Sequence, residues 1–63
     1  MNRNYDIFEI LSNGVSVWRA AVSGHDTGIL KLRDLAAQTK NEVRLMHMPT
    51  KAVIAAMNVP QLG

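Results

Sequence analysis

Residues 5–22, YDIFEILSNGVSVWRAAV, decide the fold because they hold two runs of strand-forming residues around a turn signal. The dipeptide Asn13-Gly14 between apolar runs is the strongest short-range signal for a β-hairpin, since both residues tolerate a positive φ angle. The flanking runs are rich in β-branched and aromatic residues. We therefore predict two antiparallel strands, at residues 5–11 and 15–22.

Two registers of this hairpin compete. A three-residue loop with Gly14 in the bulge position places Phe8 opposite Trp18, whereas a two-residue loop groups Trp18 with Ile7 and Tyr5. The first register is favoured because it forms an aromatic cross-strand pair. It predicts that one face of the hairpin carries Phe8, Ile10, Trp18, Ala20 and Val22. In both registers, each face of the hairpin carries apolar residues.

The segment that follows predicts an amphipathic helix over residues 24–39. Ser23 is a candidate N-cap, and Asp26 three residues later favours the positive end of the helix dipole. Helix-spaced apolar residues then form one stripe, made of Ile29, Leu32, Leu35 and Ala36. The helix is expected to end between Thr39 and Asn41.

The remaining chain predicts a second hairpin, with strands at residues 42–48 and 52–57 and Pro49 in the loop between them. Its alternative is a terminal helix opened by Pro49-Thr50-Lys51. The strand is favoured by its β-branched residues and by the need to pair the third strand. Placing Met48 opposite Val53 puts Val43, Leu45, Ile54 and Ala56 on one face and Met46, Met48, Val53, Ala55 and Met57 on the other.

These elements predict an α+β fold in which two β-hairpins flank one amphipathic helix, in the order ββαββ. The helix is expected to cover one face of a four-stranded antiparallel sheet. The chain of 63 residues has room for a single domain, residues 1–63, with a loose tail at 58–63. The predicted core comprises Phe8, Ile10, Trp18, Ile29, Leu32, Leu35, Leu45 and Ile54.

One helix cannot cover both faces of this sheet, and the second face is also apolar. Such a patch indicates an interaction surface, for which methionines are well suited. The predicted interface comprises Tyr5, Ile7, Val17, Met46, Met48, Val53 and Met57. The alternatives are a different protein as partner and a register error of one residue, which would exchange the two faces.

Size and composition favour self-association. A chain this short hides only about 60% of its unfolded surface, so its core needs support. The sequence has no cysteine, which excludes disulfides and thiolate zinc sites. A partner subunit is the remaining support, and we expect a homodimer.

Charge and hydropathy argue against nucleic acid and membrane as partners. Seven Lys and Arg residues are dispersed along the chain and leave a net charge of +2, whereas nucleic-acid binding needs a clustered basic face. The longest uncharged run, residues 52–63, is too short to span a bilayer and contains Pro60. No secretory signal is recognised at the start of the sequence, so a cytoplasmic location is expected.

No catalytic, cofactor or metal site is predicted. Met46-His47-Met48 resembles a soft-metal motif, but on a strand His47 points away from both methionines. No spacing suggests an activated nucleophile or a carboxylate pair. Arg19 is a candidate to form a salt bridge with Glu9 across the first hairpin. The leading interpretation is a non-enzymatic protein-interaction or regulatory module, with a small nucleic-acid-binding regulator as alternative and a small enzyme third.

Two resemblances accompany this interpretation. The segments Tyr5–Glu9, Trp18-Arg19, Ser23-Gly24, Leu32–Ala37 and Asn41–Val43 resemble a group of short bacterial proteins that brings no known activity, cofactor or site with it. A looser resemblance links the tyrosine-led first strand, the Asn-Gly turn and the following helix to HicB-type antitoxin domains, which implies binding to a toxin partner. The third strand that this family has before its helix, and its Pro-Leu-Pro-Gly-Cys-like segment, are missing here.

Overall fold

The computed structural model describes residues 4–60, and these form one antiparallel sheet of four strands with one helix. The order along the chain is ββαββ, as predicted, and the fold is α+β. The spatial order of the strands is β2-β1-β3-β4, so β1 and β3 are central and β2 and β4 are edges. The elements are β1 (Tyr5–Ile10), β2 (Ser16–Val22), α1 (His25–Gln38), β3 (Glu42–His47) and β4 (Ala52–Met57).

The first hairpin closes through the three-residue loop that was favoured. The Leu11 N–H donates to the Val15 carbonyl at 2.9 Å, and Gly14 takes a φ of 88°. An L-residue with a side chain rarely adopts that angle, which is why glycine occupies this position. The Asn13 side chain accepts a hydrogen bond from the Val15 N–H at 3.1 Å. Phe8 lies opposite Trp18, as predicted.

The core lies between α1 and the two central strands. Ile7, Val43 and Leu45 point from the sheet toward Leu32 and Leu35 of the helix, and all five are buried. The prediction for Leu32, Leu35 and Leu45 is confirmed, and Ile29 is partly buried against the same cluster. Tyr5, Ala20, Val22, Ala36, Ala55 and Met57 complete its rim.

The start of the helix differs from the prediction. Gly24, rather than Ser23, is the N-cap residue, with a φ of 86° and no side-chain cap hydrogen bond. The chain reverses here through a backbone angle that favours glycine, and the Gly28 N–H donates to the Gly24 carbonyl at 3.0 Å. Gly28 is buried because the helix passes close to the sheet: a Cβ atom there would lie 3.0 Å from Cδ1 of Leu45.

The second hairpin is present, so the alternative of a terminal helix is wrong. Its register also differs from the prediction, since Val53 lies opposite Met46 instead of Met48, and β3 ends at His47. A β-bulge at Ile54 adds one residue to β4 between the pairs Met46–Val53 and Leu45–Ala55. Because of the extra residue, the side chains after it point to the face opposite to the one expected for an uninterrupted strand. Ala55 and Met57 consequently pack toward the helix, and Ala56 lies on the opposite face.

Asn58 joins the end of β4 to the end of α1. Its side-chain amide donates to the backbone carbonyls of Ala36 and Thr39, both at 2.9 Å, and of Asn41 at 3.2 Å. The first two carbonyls belong to the last turn and cap of the helix, where backbone acceptors lack helical partners. Asn58, the first residue of the predicted loose tail, is therefore fixed to the end of the helix, and residues 61–63 lie outside the described part of the chain.

Replacing Asn58 by glycine is expected to lower the free energy of unfolding by about 1–2 kcal/mol, because the freed carbonyls lose their donor. Glycine accommodates the φ of 57° at this position, so the substitution tests the amide rather than the backbone. Lys51→Gly is the matched control, since Lys51 also has a positive φ, of 59°. Urea unfolding followed by circular dichroism measures both variants. Equal stability of Asn58→Gly and Lys51→Gly would show that the amide contributes nothing.

Candidate interaction surface

The face of the sheet that the helix leaves uncovered is apolar and carries the largest exposed side chain. We call it the open face; its large apolar residues are Phe8, Ile10, Trp18, Met46 and Val53. Phe8 and Ile10 alternate along β1 with the buried Ile7 and Glu9, and therefore point away from the helix. Trp18 lies opposite Phe8, and Val53 lies opposite Met46. Trp18 is 56% exposed and Val53 is 48% exposed.

A β-bulge in β2 explains why Trp18 is on this face while Ala20 and Val22 are not. The pairs Ile7–Ala20 and Phe8–Trp18 are consecutive, so Arg19 is an extra residue. Ala20 and Val22 turn toward the helix and pack against the core. Trp18 and Ser16 remain opposite Phe8 and Ile10 on the open face. The bulge therefore separates residues that the uninterrupted strand pattern had grouped.

The predicted core and interface are partly exchanged as a result. Phe8, Ile10 and Trp18, which were predicted as core, lie on the open face, and Ile54 is 42% exposed at the bulge of β4. Conversely, Ile7 was predicted as interface and is fully buried.

The other predicted interface residues are divided between several places. Tyr5 and Met57 pack against the core, and Met48 lies in the turn after β3. Val17 is exposed but lies opposite Glu9, which belongs to the helix-covered side. Only Met46 and Val53 of the predicted interface set belong to the open face.

A shallow depression of about 100 Å³ lies in the middle of the open face, lined by Phe8, Ile10, Ser16, Arg44 and Met46. This volume is below the several hundred Å³ typical of small-molecule sites. Arg44 donates through Nε to Oε2 of Glu42 at 2.7 Å. This hydrogen bond and the carboxylate charge raise the pKa of Arg44 above its ordinary value. The depression is therefore mainly apolar, and the charge of Arg44 at its border is already paired with Glu42.

The charges of the open face are few and mixed. The alternation along β1 and β3 places Asp6, Glu42 and Arg44 on the open face. One guanidinium thus accompanies two carboxylates, and it is already bonded to one of them. A surface of this composition offers little attraction to a phosphate backbone, which needs unpaired basic groups.

On the helix-covered side, Glu9 connects four parts of the chain. Its carboxylate accepts hydrogen bonds from Nη1 of Arg19 at 2.6 Å and from Thr39 Oγ1 and Asn41 Nδ2, both at 2.7 Å. The salt bridge with Arg19 was predicted, whereas the bonds from Thr39 and Asn41 were not. Hydrogen bonds from Asn41 and Thr39, aided by the Arg19 charge, hold the pKa of Glu9 below its ordinary value. Through these bonds Glu9 holds the end of the helix over one face of the sheet, and the open face lies on the other side.

Both histidines lie near the ring of Tyr5. The ring centroid of Tyr5 is 5.2 Å from that of His47 and 6.5 Å from that of His25. His47 points away from the open face, on which Met46 lies, as strand geometry predicted. Residues 4–60 contain no group of three or more His, Cys, Asp or Glu side chains placed to hold a metal ion.

A hydroxyl–imidazole pair in the turn between β3 and β4 has a local structural role. Oγ1 of Thr50 is 2.9 Å from Nδ1 of His47 and also accepts a hydrogen bond from the Ala52 N–H at 3.4 Å. Threonine hydroxyls commonly form such bonds within turns. These contacts account for Thr50 as a turn residue.

Comparisons of the chain with protein-family models, curated proteins and solved structures found no match. Within the described residues, no helix combines the length and the apolar character needed to cross a membrane.

Proposed function

We propose that the protein is a non-enzymatic protein-interaction module that associates with itself through the open face. The observation that carries this proposal is Trp18: a tryptophan 56% exposed beside Phe8, on a sheet face that the helix does not cover. Aromatic residues and methionine are enriched in protein interfaces, and a contiguous exposed apolar surface marks such a site. The small core, five buried apolar residues among those described, makes added burial in an assembly valuable.

A second copy is the occupant that the charges of the open face support. Its three charged groups sum to −1, and Arg44 is already paired with Glu42, so two such faces approach without strong repulsion. Two sheets pack face to face at a spacing of about 10 Å, with side chains from both inner faces interdigitated. In that arrangement Trp18, Phe8 and Met46 become the interior of a β-sandwich.

Replacing Trp18 by lysine tests the proposal. We expect Trp18→Lys to reduce the mass of the assembly at least by half, because the substitution removes the largest apolar side chain and introduces charge into the contact. Light scattering with size-exclusion chromatography at micromolar concentration measures the mass. Leu30→Lys is the matched control, because Leu30 is 61% exposed on the helix, away from the open face, and the assembly should keep its mass. A wild-type protein that remains a 7.0 kDa monomer would refute self-association.

Tryptophan fluorescence supplies an independent measurement on the unmodified chain. Trp18 is the only tryptophan in the sequence. Its emission should shift to longer wavelength on dilution, as dissociation exposes the indole to water. A salt-sensitive shift caused by a single-stranded oligonucleotide would instead support the nucleic-acid alternative. A spectrum unchanged by concentration over the range in which the mass changes would place the contact away from Trp18.

A further inference from the structure

Of the two edge strands, β4 carries fewer of the features that normally prevent pairing with another strand: each edge has a β-bulge, but only β2 also carries a charged residue. Natural sheets protect their edges with charged residues, proline or covering elements. The segment Ala52–Met57 contains neither charge nor proline, and Val53 and Ile54 are exposed. The opposite edge, β2, carries Arg19 at its bulge. In the described residues, β4 is therefore the less protected of the two sheet edges.

The order of helix-side and open-face residues along β4 allows this strand to pair antiparallel with β4 of a second copy. Ala52, Ala55 and Met57 lie opposite the helix-side residues of β3, whereas Val53 and Ala56 lie opposite open-face residues. In an antiparallel pair, residues directly opposite must share a face. If Ala52 pairs with the partner's Met57 and Val53 with the partner's Ala56, the two residues of each pair lie on the same face of the sheet. A register shifted by one residue in either direction would place helix-side residues opposite open-face residues.

We propose that two copies join through β4 in this register and form one continuous antiparallel sheet. Ile54 then lies opposite the partner's Ala55 at the centre of the contact. The absence of charge in β4 means that self-pairing creates no like-charge repulsion. The two helices lie on the same side of the joint sheet, and the two open faces become one surface. This contact uses the edge of the sheet, whereas the contact of the proposed function uses its open face.

The edge contact enlarges the sheet face that can pack against other copies. Strands about 4.8 Å apart that rise about 3.3 Å per residue give a four-stranded, six-residue face of about 400 Å² in projection. Stable interfaces bury about 800 Å² per partner. Joining two copies edge to edge doubles the face that can pack against another pair. The two contacts together predict a tetramer built from two joint sheets.

Cysteine crosslinking tests the register directly, because the natural sequence has no cysteine. Val53→Cys and Ala56→Cys proteins are mixed, each also carrying Trp18→Lys so that the open-face contact cannot bring the thiols together. A short bismaleimide should then join one variant to the other several-fold more than it joins either variant to itself. The two thiols are directly opposite in the mixed pair, whereas identical thiols are separated along the strand. Intact mass spectrometry distinguishes the products.

Two controls complete the experiment. In the first control, the Val53→Cys protein is mixed with Ala37→Cys, at an exposed position on the helix, and the crosslinker should join these two variants to only a small extent. Ile54→Lys should abolish the mixed product, while Val15→Lys, at an exposed loop position, should leave it unchanged. Absence of a mixed product above the Ala37 control would overturn the edge contact. That result would leave the open-face proposal intact, because the mass of Trp18→Lys in the wild-type background tests it separately.

Discussion

Leu45→Ala is expected to lower the free energy of unfolding by about 3 kcal/mol, within the range of about 2–5 kcal/mol for buried leucines. Leu45 is fully buried where Gly28 of the helix packs against the sheet. Truncation removes apolar contacts and leaves a cavity beneath Gly28. Because small domains have only a few kcal/mol of net stability, much of the variant should be unfolded at 37 °C. Urea and thermal unfolding followed by circular dichroism measure the loss.

A second substitution distinguishes a cavity from a general loss of structure. In the wild type, a Cβ atom on Gly28 would lie 3.0 Å from Cδ1 and 3.1 Å from Cδ2 of Leu45. Gly28→Ala gains about 1 kcal/mol of helix propensity but crowds these atoms. In the Leu45→Ala background the two contacts with Leu45 are removed and only Val22 Cγ2, at 3.3 Å, stays close, so Gly28→Ala should recover about 1 kcal/mol. Equal effects of Gly28→Ala in both backgrounds would show that the two sites are not coupled.

The features that the sequence predicted correctly are those determined by local chemistry. Asn13-Gly14 indicated the first hairpin because its turn needs a positive φ angle, and the structure has that angle at Gly14. The helical stripe identified Leu32 and Leu35 because apolar spacing has the period of the helix. The order ββαββ follows from these elements. The apolar character of both sheet faces was also evident from the sequence.

The identity of each face was not predictable from alternation alone. Arg19 and Ile54 each add one residue to a strand, and each bulge exchanges the faces of the residues that follow. Neither position carries a glycine or another residue that marks a bulge in the sequence. The preference for large aromatic residues in the core then placed Phe8 and Trp18 under the helix. The space there is narrow, and the helix packs Gly28 against Leu45 and Val22.

Glu9 supplied a signal that sequence reasoning underused. An acidic residue in the middle of β1 cannot be buried without partners, so it indicated polar groups nearby. Arg19 was identified as one of them, but Thr39 and Asn41 are 30 and 32 residues away in the sequence. Only the crossing of the helix over the sheet brings them to the carboxylate. Recognition of this network would have assigned Glu9, and with it Ile7, to the helix-covered face.

Glu9→Gln should therefore destabilise the protein more than a substitution at the other carboxylate–arginine pair of the sheet. A neutral amide retains the shape of the side chain but weakens the charge-assisted bonds from Arg19, Thr39 and Asn41. Its –NH₂ group would also meet a donor where the carboxylate accepts one. Glu42→Gln is the comparison, because Glu42 accepts its side-chain bond from Arg44 alone. The unfolding midpoint in urea at pH 7 measures the order of the two variants.

The pH dependence of this difference identifies the charge of Glu9 as its cause. The folded pKa of Glu9 lies below its ordinary value of 4.5, so the unfolded chain binds the proton more readily. The stabilisation is fully present above pH 4.5 and is lost as the pH falls through the folded pKa. Wild type and Glu9→Gln should therefore differ most at neutral pH and converge as the solution is acidified below pH 4.5. A difference that stays constant across this window would mean that the substitution disturbs packing rather than removing a stabilising charge.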